Sequence, residues 1–208
     1  MKQNLLVATH NRGKVVEYSE MLAALDVQWR SLDDIGFALE VEETGDSFQA
    51  NAILKSQAYA AETGLLTLAD DSGLEVDALA RGPGIYTARY GGPGLTPQQR
   101  YEYLLANLQD VPWPLRSARF RCVIALAGED GALLGTAEGV CEGMIAQEAR
   151  GAGGFGYDPV FYLPDRGQTM AQLAPYEKHA ISHRGRALQA VEPLLRKVLE
   201  GGSMSGNA

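Results

Sequence analysis

Short apolar runs alternate with helical repeats along the first half of the chain. An apolar run at Leu5–Ala8 predicts a buried first strand, and a polar turn separates it from a helical repeat that extends to about Leu25. A second strand is predicted at Val27–Ser31, and Ser47 is a typical N-cap for a helix that ends near Gly64. Strands separated by helices in this way favour parallel pairing.

Strand-like runs dominate the middle of the chain instead. The segments Ala118–Ala127 and Ala132–Cys141 flank an Asp-Gly turn, which favours a hairpin, and a third strand is predicted at about Glu142–Gln147. Helices are predicted at Thr96–Leu108 and at Ser182–Leu199. Because a hairpin follows the helix-separated strands, we expect an α/β fold with a mixed sheet.

The 208 residues suit one domain, and the sequence contains neither an internal repeat nor a linker. We therefore expect a single domain over residues 1–200. The remaining residues, 201–208, are small and polar and are expected to form a disordered tail.

Composition narrows the classes of partner and compartment. The net charge of −8 disfavours non-specific binding to nucleic acid or to an anionic membrane, although a small phosphate ligand needs only local positive charge. No apolar stretch approaches the roughly 20 residues of a membrane span, and the N-terminal segment becomes polar too early for a signal peptide. Cys122 and Cys141 lie in strand-like runs and are interpreted as reduced core residues of a cytoplasmic protein.

Two adjacent carboxylates follow the apolar run at Leu65–Ala69. Asp70 and Asp71 are followed by Ser72 and Gly73, which either closes a turn or delivers acids from a buried strand to a pocket. Adjacent strand residues point to opposite faces, so the two aspartates should have different roles. Residues Glu42 and Glu43 supply further carboxylates of the kind that Mg²⁺ prefers, although a solvated charge run is the alternative.

A polar turn at Thr9–Lys14 opens the first predicted helix. Its unpaired backbone amides, the side chains of Thr9 and Asn11 and the charge of Lys14 could bind phosphate. The segment is not a Walker A loop, because valine follows the lysine. An ordinary capped helix remains the alternative.

Two later segments have the chemistry of a nucleotide site. The glycine-rich loop Gly151–Pro159 lets the backbone approach a ligand closely, and Phe155 and Tyr157 offer ring faces for a base. The segment Lys178–Arg186 places cations near the start of a helix, where the dipole disfavours them unless a ligand compensates.

Taken together, these segments resemble the inosine triphosphate pyrophosphatase-like family, also called non-canonical purine NTP pyrophosphatases or XTP/dITP diphosphatases. The resemblance covers about Leu5–Leu199, with all motifs in order. It is carried by Ala8–Lys14, Glu42–Gly45, Phe48, Asn51, Ala52, Lys55, Ala69–Leu74, Pro83–Tyr90, Gly153–Pro159 and Ser182–Gly185.

The resemblance implies a long mixed central sheet with flanking helices, and two lobes around a nucleotide-binding cleft. It also implies Mg²⁺ dependence, a homodimer, and hydrolysis of ITP, dITP and XTP to the nucleoside monophosphate and pyrophosphate. By position, the catalytic residue would be Asp71, the metal ligands Glu42 and Asp71, and the supporting residues Asp70, Asn51 and Lys55. The substrate-binding residues would be Thr9, His10, Asn11, Arg12, Gly13, Lys14, Ser72, Phe155, Gly156, Tyr157, Asp158, Lys178, His183 and Arg184.

Three other functions could use parts of this pattern. A sister class of pyrophosphatases acts on pyrimidine or modified nucleotides, but the Phe155–Asp158 loop and the Ser182–Gly185 segment argue against it. A nucleotide-binding module without catalysis would use the acids only to close turns. A covalent aspartyl-phosphatase is disfavoured because the usual Asp-x-Asp spacing is absent. His10 and Thr87 depart from the residues common in the family, and neither change removes a catalytic group.

Overall fold

The computed structural model describes residues 2–38 and 40–202. The strands are β1 (Gln3–Val7), β2 (Val27–Arg30), β3 (Leu66–Val76), β4 (Ser117–Ala127), β5 (Leu133–Ile145), β6 (Phe161–Leu163) and β7 (Gln168–Thr169). The helices are α1 (Arg12–Met21), α2 (Phe48–Thr63), α3 (Pro97–Asn107), α4 (Pro175–Ile181) and α5 (His183–Gly202).

The strands form one seven-stranded sheet in the order β2-β1-β3-β4-β5-β6-β7. β1 pairs in parallel with β2 and β3, whereas β6 pairs antiparallel with β5 and β7. The expected mixed sheet with flanking helices is therefore confirmed. No helix in the described part of the chain has the length and apolar character needed to cross a membrane.

The chain divides into two compact units. Among the described residues, unit 1 comprises 2–71, 122–139 and 185–202, and unit 2 comprises 72–121 and 140–184. The core of unit 1 packs the buried faces of β1 and β3 against α5, with Leu5, Leu68 and Leu188 fully buried. The core of unit 2 is built around Leu74 and Phe161.

Strand β3 differs most from its sequence-based description. The apolar run does not end at the aspartates, because β3 continues through Asp70, Asp71, Ser72 and Gly73 to Val76. Ten of its eleven residues are buried, with Ser72 the exception. The turn interpretation of the Asp-Ser-Gly sequence is therefore wrong, since burial along the strand outweighs local turn propensity.

Several element boundaries also differ from the sequence-based predictions. α1 ends at Met21 rather than near Leu25, because Leu22 caps it and both leucines are buried in the turn that follows. The two strands predicted over residues 132–147 are one strand, β5. α5 extends through Gly202, into the first two residues of the predicted tail, and residues 203–208 lie outside the described part of the chain.

An ion-pair network lies in unit 2, where Arg119 of β4 contacts Asp77 at 2.8 Å and Glu142 at 3.1 Å. Hydrogen bonds from Arg119 and Ser117 hold the pKa of Asp77 below its usual value. Because the folded-state pKa is depressed, the stabilisation is complete above the unfolded pKa and is lost as the pH falls through the folded pKa.

We therefore expect Asp77→Asn to lower the free energy of unfolding near neutral pH by roughly 1 kcal/mol or less, as for other exposed ion pairs. This difference from the wild type should shrink below about pH 4. Urea denaturation of both proteins at neutral pH and at acidic pH measures it. A difference in the free energy of unfolding that is the same at both pH values would show that the ionised Asp77 carboxylate is not its cause.

Candidate functional site

The turn that precedes α1 is closed by its own side chains. Asn11 is the N-cap of α1 and accepts a hydrogen bond from the Gly13 amide at 2.9 Å, while the Asn11 amide donates to Thr9 Oγ1 at 3.1 Å. The sequence predicts unpaired amides at this turn. The amides of residues 11 and 13 are instead paired, because side-chain oxygens accept their hydrogen bonds. A phosphate at this turn would have to exchange these local bonds for its own.

His10, in the turn, and Arg12, the first residue of α1, contact the acids that follow β2. His10 Nδ1 lies 2.7 Å from Asp33 Oδ1, and Arg12 lies 3.7 Å from Asp34 with 76% of its side chain exposed. Both side chains are accessible at the surface of unit 1. The phosphate-binding role predicted for them requires Arg12 to leave a weak, exposed ion pair, which costs little.

Lys14, in the first turn of α1, forms a partly buried ion pair. Lys14 Nζ donates to both carboxylate oxygens of Asp70, at 3.0 and 2.9 Å. The Asp70 side chain is only 2% exposed, whereas that of Lys14 is 25% exposed. Asp70 thus holds the ammonium of Lys14 at the start of α1, and its supporting role in the reaction stays a prediction.

Asp71 has a different set of neighbours. Its Oδ2 accepts a hydrogen bond of 3.0 Å from Asn51 Nδ2, and Asn51 Oδ1 accepts one of 2.8 Å from the amide of Gly45. Asn51 is buried within α2. A Cβ at Gly45 would lie 2.6 Å from Asn51 Oδ1, so residues 42–45, called the acidic segment from here on, approach α2 too closely for a side chain at position 45. One amide side chain therefore fixes both Asp71 and the acidic segment.

Removing this amide should cost stability. In an Asn51→Ala variant the buried Asp71 carboxylate and the Gly45 amide both lose a partner, so we expect a loss of about 1–3 kcal/mol in the free energy of unfolding, measured by urea denaturation. Asn107→Ala is the matched control, because Asn107 is exposed and donates to Tyr90 at the surface. Equal effects of the two substitutions would show that the buried Asn51 bonds contribute no more than the exposed Asn107 bond.

A lysine on α2 lies beside the carboxylates of Glu43 and Asp71. Lys55 Nζ lies 2.5 Å from Glu43 Oε1 and 3.9 Å from Asp71 Oδ1. Burial opposes the charge of Lys55, but the carboxylates of Asp70, Asp71 and Glu43 outweigh it and raise the Lys55 pKa. Lys55 therefore stays cationic. The motif predicts a supporting role for Lys55, whereas its pairing with Glu43 is evident only from the structure.

The pKa of Asp71 is raised above its usual value. Burial is the main cause, the charges of Glu43 and Asp70 add to it, and Lys55 and the Asn51 hydrogen bond oppose it. A carboxylate with a raised pKa is a stronger base than an ordinary aspartate. Asp70 and Asp71 thus have different environments, as their alternation along the strand predicted.

The residues present fit a hard divalent cation. Asp71, Glu42 and Glu43 offer carboxylate oxygens in one unit, and Mg²⁺ is commonly held by one or two carboxylates together with substrate phosphates and water. Glu42 is exposed, whereas Glu43 is engaged with Lys55. Within residues 2–38 and 40–202, no three His, Cys, Asp or Glu side chains form a ready-made metal cage.

In unit 2, the glycine-rich loop presents one aromatic ring to solvent. Phe155 is 58% exposed, Lys178 Nζ lies 4.4 Å from its ring centroid and the Arg184 guanidinium lies 5.3 Å from it. Contacts of this length with an aromatic ring are favourable for a cation. The cluster combines an exposed ring with two hydrogen-bond donors, which is the chemistry that a nucleobase carrying acceptor oxygens requires.

A buried carboxylate holds this cluster together. Asp158 accepts hydrogen bonds from the Phe155 amide at 2.8 Å and from Lys178 Nζ at 2.5 Å. A Cβ at Gly154 would lie 2.1 Å from Asp158 Oδ2, and φ there is +72°, so glycine is required at this position. Asp158 thus orients both the loop and the lysine.

Tyr157 does not present a ring face, contrary to the sequence-based interpretation. It is 4% exposed, packs in the unit 2 core and donates its hydroxyl to the backbone oxygen of Thr87 at 3.0 Å. Burial raises the pKa of its hydroxyl. The sequence could not separate the two aromatic residues of the loop, because both rings are apolar and only packing decides which of them is buried.

The basic segment divides between two helices, whereas one helix was predicted. Lys178 lies in the last turn of α4, where the helix dipole favours a cation. His183 and Arg184 begin α5, and both are buried. The His183 ring stacks on Phe120 at a centroid distance of 4.8 Å. The dipole argument therefore applies to the α5 residues and not to Lys178.

Comparison with known proteins identifies the family. A sequence model of the Ham1 family matches residues 5–194. A protein of Desulforamulus reducens described as dITP/XTP pyrophosphatase is 48% identical over 194 residues, covering 93% of this chain and 96% of that protein. A Bacillus subtilis protein with the same description is 45% identical over 91% of this chain and 96% of its own length.

Solved structures agree with this assignment. A HAM1 protein from Coxiella burnetii has a TM-score of 0.87 at 41% identity, and the match covers 94% of this chain and 99% of that one. The Ham1 protein of Staphylococcus aureus has a TM-score of 0.86 at 38% identity, with coverage of 94% and 100%. The resemblance inferred from the motifs is confirmed, and the chain belongs to the Ham1 family.

Proposed function

We propose that the protein is a nucleoside-triphosphate pyrophosphatase that hydrolyses dITP, XTP and ITP to the monophosphate and pyrophosphate. The buried Asp71, held by Asn51 and placed beside Lys55, is the structural observation that carries this proposal. It is supported by family members described as dITP/XTP pyrophosphatase. The unit 1 residues 9–14 are assigned to the triphosphate, and the Phe155 cluster is assigned to the base.

The reaction breaks the anhydride between the α and β phosphates. The oxygen of a water molecule forms a new bond to phosphorus, and Asp71 accepts the proton that this water releases. Lys14 and Lys55 balance the negative charge of the phosphates in a protein whose net charge is −8. Mg²⁺, held by Asp71 and the acidic segment at Glu42, would neutralise phosphate charge when bound.

Base selection follows from the direction of hydrogen bonding. Hypoxanthine and xanthine present an acceptor oxygen at position 6, which Lys178 or Arg184 can meet because both side chains are donors only. The amino group of adenine would leave such a donor without a partner, at a cost of roughly 1–3 kcal/mol or more for a charged group. The proposal therefore includes rejection of ATP.

One assay tests both the proposed hydrolysis and the proposed base selection. Pyrophosphate release should be measured for ITP, dITP, XTP, GTP and ATP, with and without Mg²⁺. We expect Mg²⁺-dependent release from ITP, dITP and XTP that is at least about tenfold more efficient than from ATP. Binding of ITP without release would favour the nucleotide-binding module. Equal rates on ITP and ATP would contradict the donor argument.

The family resemblance also supports a homodimer. The buried cysteines Cys122 and Cys141, interpreted as reduced, support a cytoplasmic location. Sedimentation equilibrium of the purified chain tests the assembly state. A species of 22.4 kDa at all concentrations would contradict the homodimer, since that is the mass of one chain.

A further inference from the structure

In unit 2, the last residues of β3 contact the segment at residues 82–87. The Val76 amide donates to the backbone oxygen of Gly82 at 2.9 Å, and Glu75 forms a bridge with Pro83. Farther back along the strand, the Leu74 amide donates to the side chain of Thr87 at 2.8 Å. The side chain of Thr87 thus accepts a hydrogen bond from a strand amide that a neighbouring backbone carbonyl would otherwise accept.

The Thr87 hydroxyl is used in both directions. It accepts from the Leu74 amide and donates to the backbone oxygen of Gly84 at 2.5 Å. Because the hydroxyl both donates and accepts, valine, which has the same shape, could replace neither bond. Serine, which retains the hydroxyl, could replace both.

The backbone of the same residue receives the buried tyrosine of the glycine-rich loop. Tyr157 donates its hydroxyl to the backbone oxygen of Thr87, and its ring is buried in the same core cluster as Leu74. Two residues away, Phe155 is exposed and accepts the cation contacts of Lys178 and Arg184. A chain of hydrogen bonds therefore runs from β3, two residues after Ser72, to the loop that carries Phe155.

We propose that Tyr157 and Thr87 are positioning residues that fix the Phe155 loop against β3 and thereby determine base discrimination. The inference rests on the proposed base-binding role of the Phe155 cluster. Neither residue touches the base. Tyr157 fixes the position of the Phe155 loop through its bond to the Thr87 backbone, while the Thr87 hydroxyl holds that backbone against β3. Loss of either hydroxyl lets Phe155 and its donors shift relative to the base, which weakens binding more than turnover.

The experiment uses four single variants of the full chain, with kcat and KM measured for ITP and ATP and with thermal unfolding recorded. Tyr157→Phe and Thr87→Val remove one hydroxyl each. Thr87→Ser restores the hydroxyl in a smaller side chain. Tyr162→Phe is the matched control, because Tyr162 also lies in unit 2 and makes an edge contact with Trp113.

We expect Tyr157→Phe and Thr87→Val to raise KM for ITP about five- to tenfold, to change kcat less than about threefold, and to reduce the preference for ITP over ATP by about the same factor as KM. Thr87→Ser and Tyr162→Phe should remain within about twofold of the wild type. A wild-type preference in both hydroxyl-deleted variants, whatever their melting temperatures, would overturn the inference.

The other outcomes of the experiment also support or refute the positioning roles. If Tyr157→Phe alone loses the preference, the positioning role of the Thr87 hydroxyl is refuted and that of Tyr157 stands, because Thr87→Val keeps the backbone oxygen that Tyr157 contacts. If Thr87→Val does not fold, the Tyr157→Phe result alone decides. A wild type without pyrophosphatase activity refutes the proposed function. Active wild-type enzyme with unaltered variants refutes only the positioning roles.

Discussion

Replacing Asp71 with asparagine is expected to lower kcat for ITP by about 10²–10⁴-fold, because a general base contributes about that much to a rate. The fold should survive, since the asparagine side-chain oxygen can still accept the hydrogen bond from Asn51. Burial of the Asp71 carboxylate raises its pKa, which means that its charged form is unfavourable in the folded state. The variant should therefore melt at the wild-type temperature or slightly above it.

Pyrophosphate release and thermal unfolding, measured on the same preparation, check this prediction. Asp165→Asn is the matched control, because Asp165 is exposed in a short turn of unit 2 and the chemical change is identical. The control should keep wild-type turnover. Near-normal activity in Asp71→Asn would remove the residue from the reaction, and an unfolded variant would give it a structural role instead.

Replacing Lys14 with methionine should produce the largest loss of stability among the substitutions considered. The change leaves Asp70, whose side chain is 2% exposed, without the cation that contacts both of its oxygens. Breaking a buried ion pair from one side costs about 3–5 kcal/mol. We expect the lower end of that range, about 3 kcal/mol, because Lys55 also interacts electrostatically with Asp70.

A double-mutant cycle separates the charge effect from packing. Lys14→Met/Asp70→Asn should recover most of the free energy of unfolding, since neither charge is then left buried, but should not recover turnover on ITP. Lys2→Met is the control, because Lys2 pairs with Asp26 at 2.7 Å with both side chains exposed. It should cost less than about 1 kcal/mol. A similar loss in Lys2→Met and Lys14→Met would refute the buried-pair argument.

The sequence predicted the architecture well where apolar periodicity was long. The Ser47 cap and the Gly64 end of α2 are confirmed, because capping residues and a left-handed glycine are local signals. The passage of β3 through Asp71 was not predictable in the same way. Its strand conformation depends on pairing partners and burial, and neither is encoded near the aspartates.

The candidate site shows the same limit. The motifs identified Asp70, Asp71 and Lys55 by type and order, but not which side chain meets which. The pairs Lys14–Asp70 and Lys55–Glu43 join residues that are distant along the chain or in different elements, so they are set by tertiary packing. The same holds for Tyr157, whose buried ring and bond to Thr87 depend on a segment far from it in sequence.

The uninterrupted strand at Asp71 has a thermodynamic consequence for ligand affinity. A carboxylate on a buried strand has already lost its conformational freedom on folding, so it loses almost none when a cation or substrate arrives. The acids at 42 and 43 lie on irregular backbone that Asn51 and Lys55 tether. The entropic penalty of assembling the proposed cation site therefore falls on that segment, and substitutions that loosen it should weaken cation affinity.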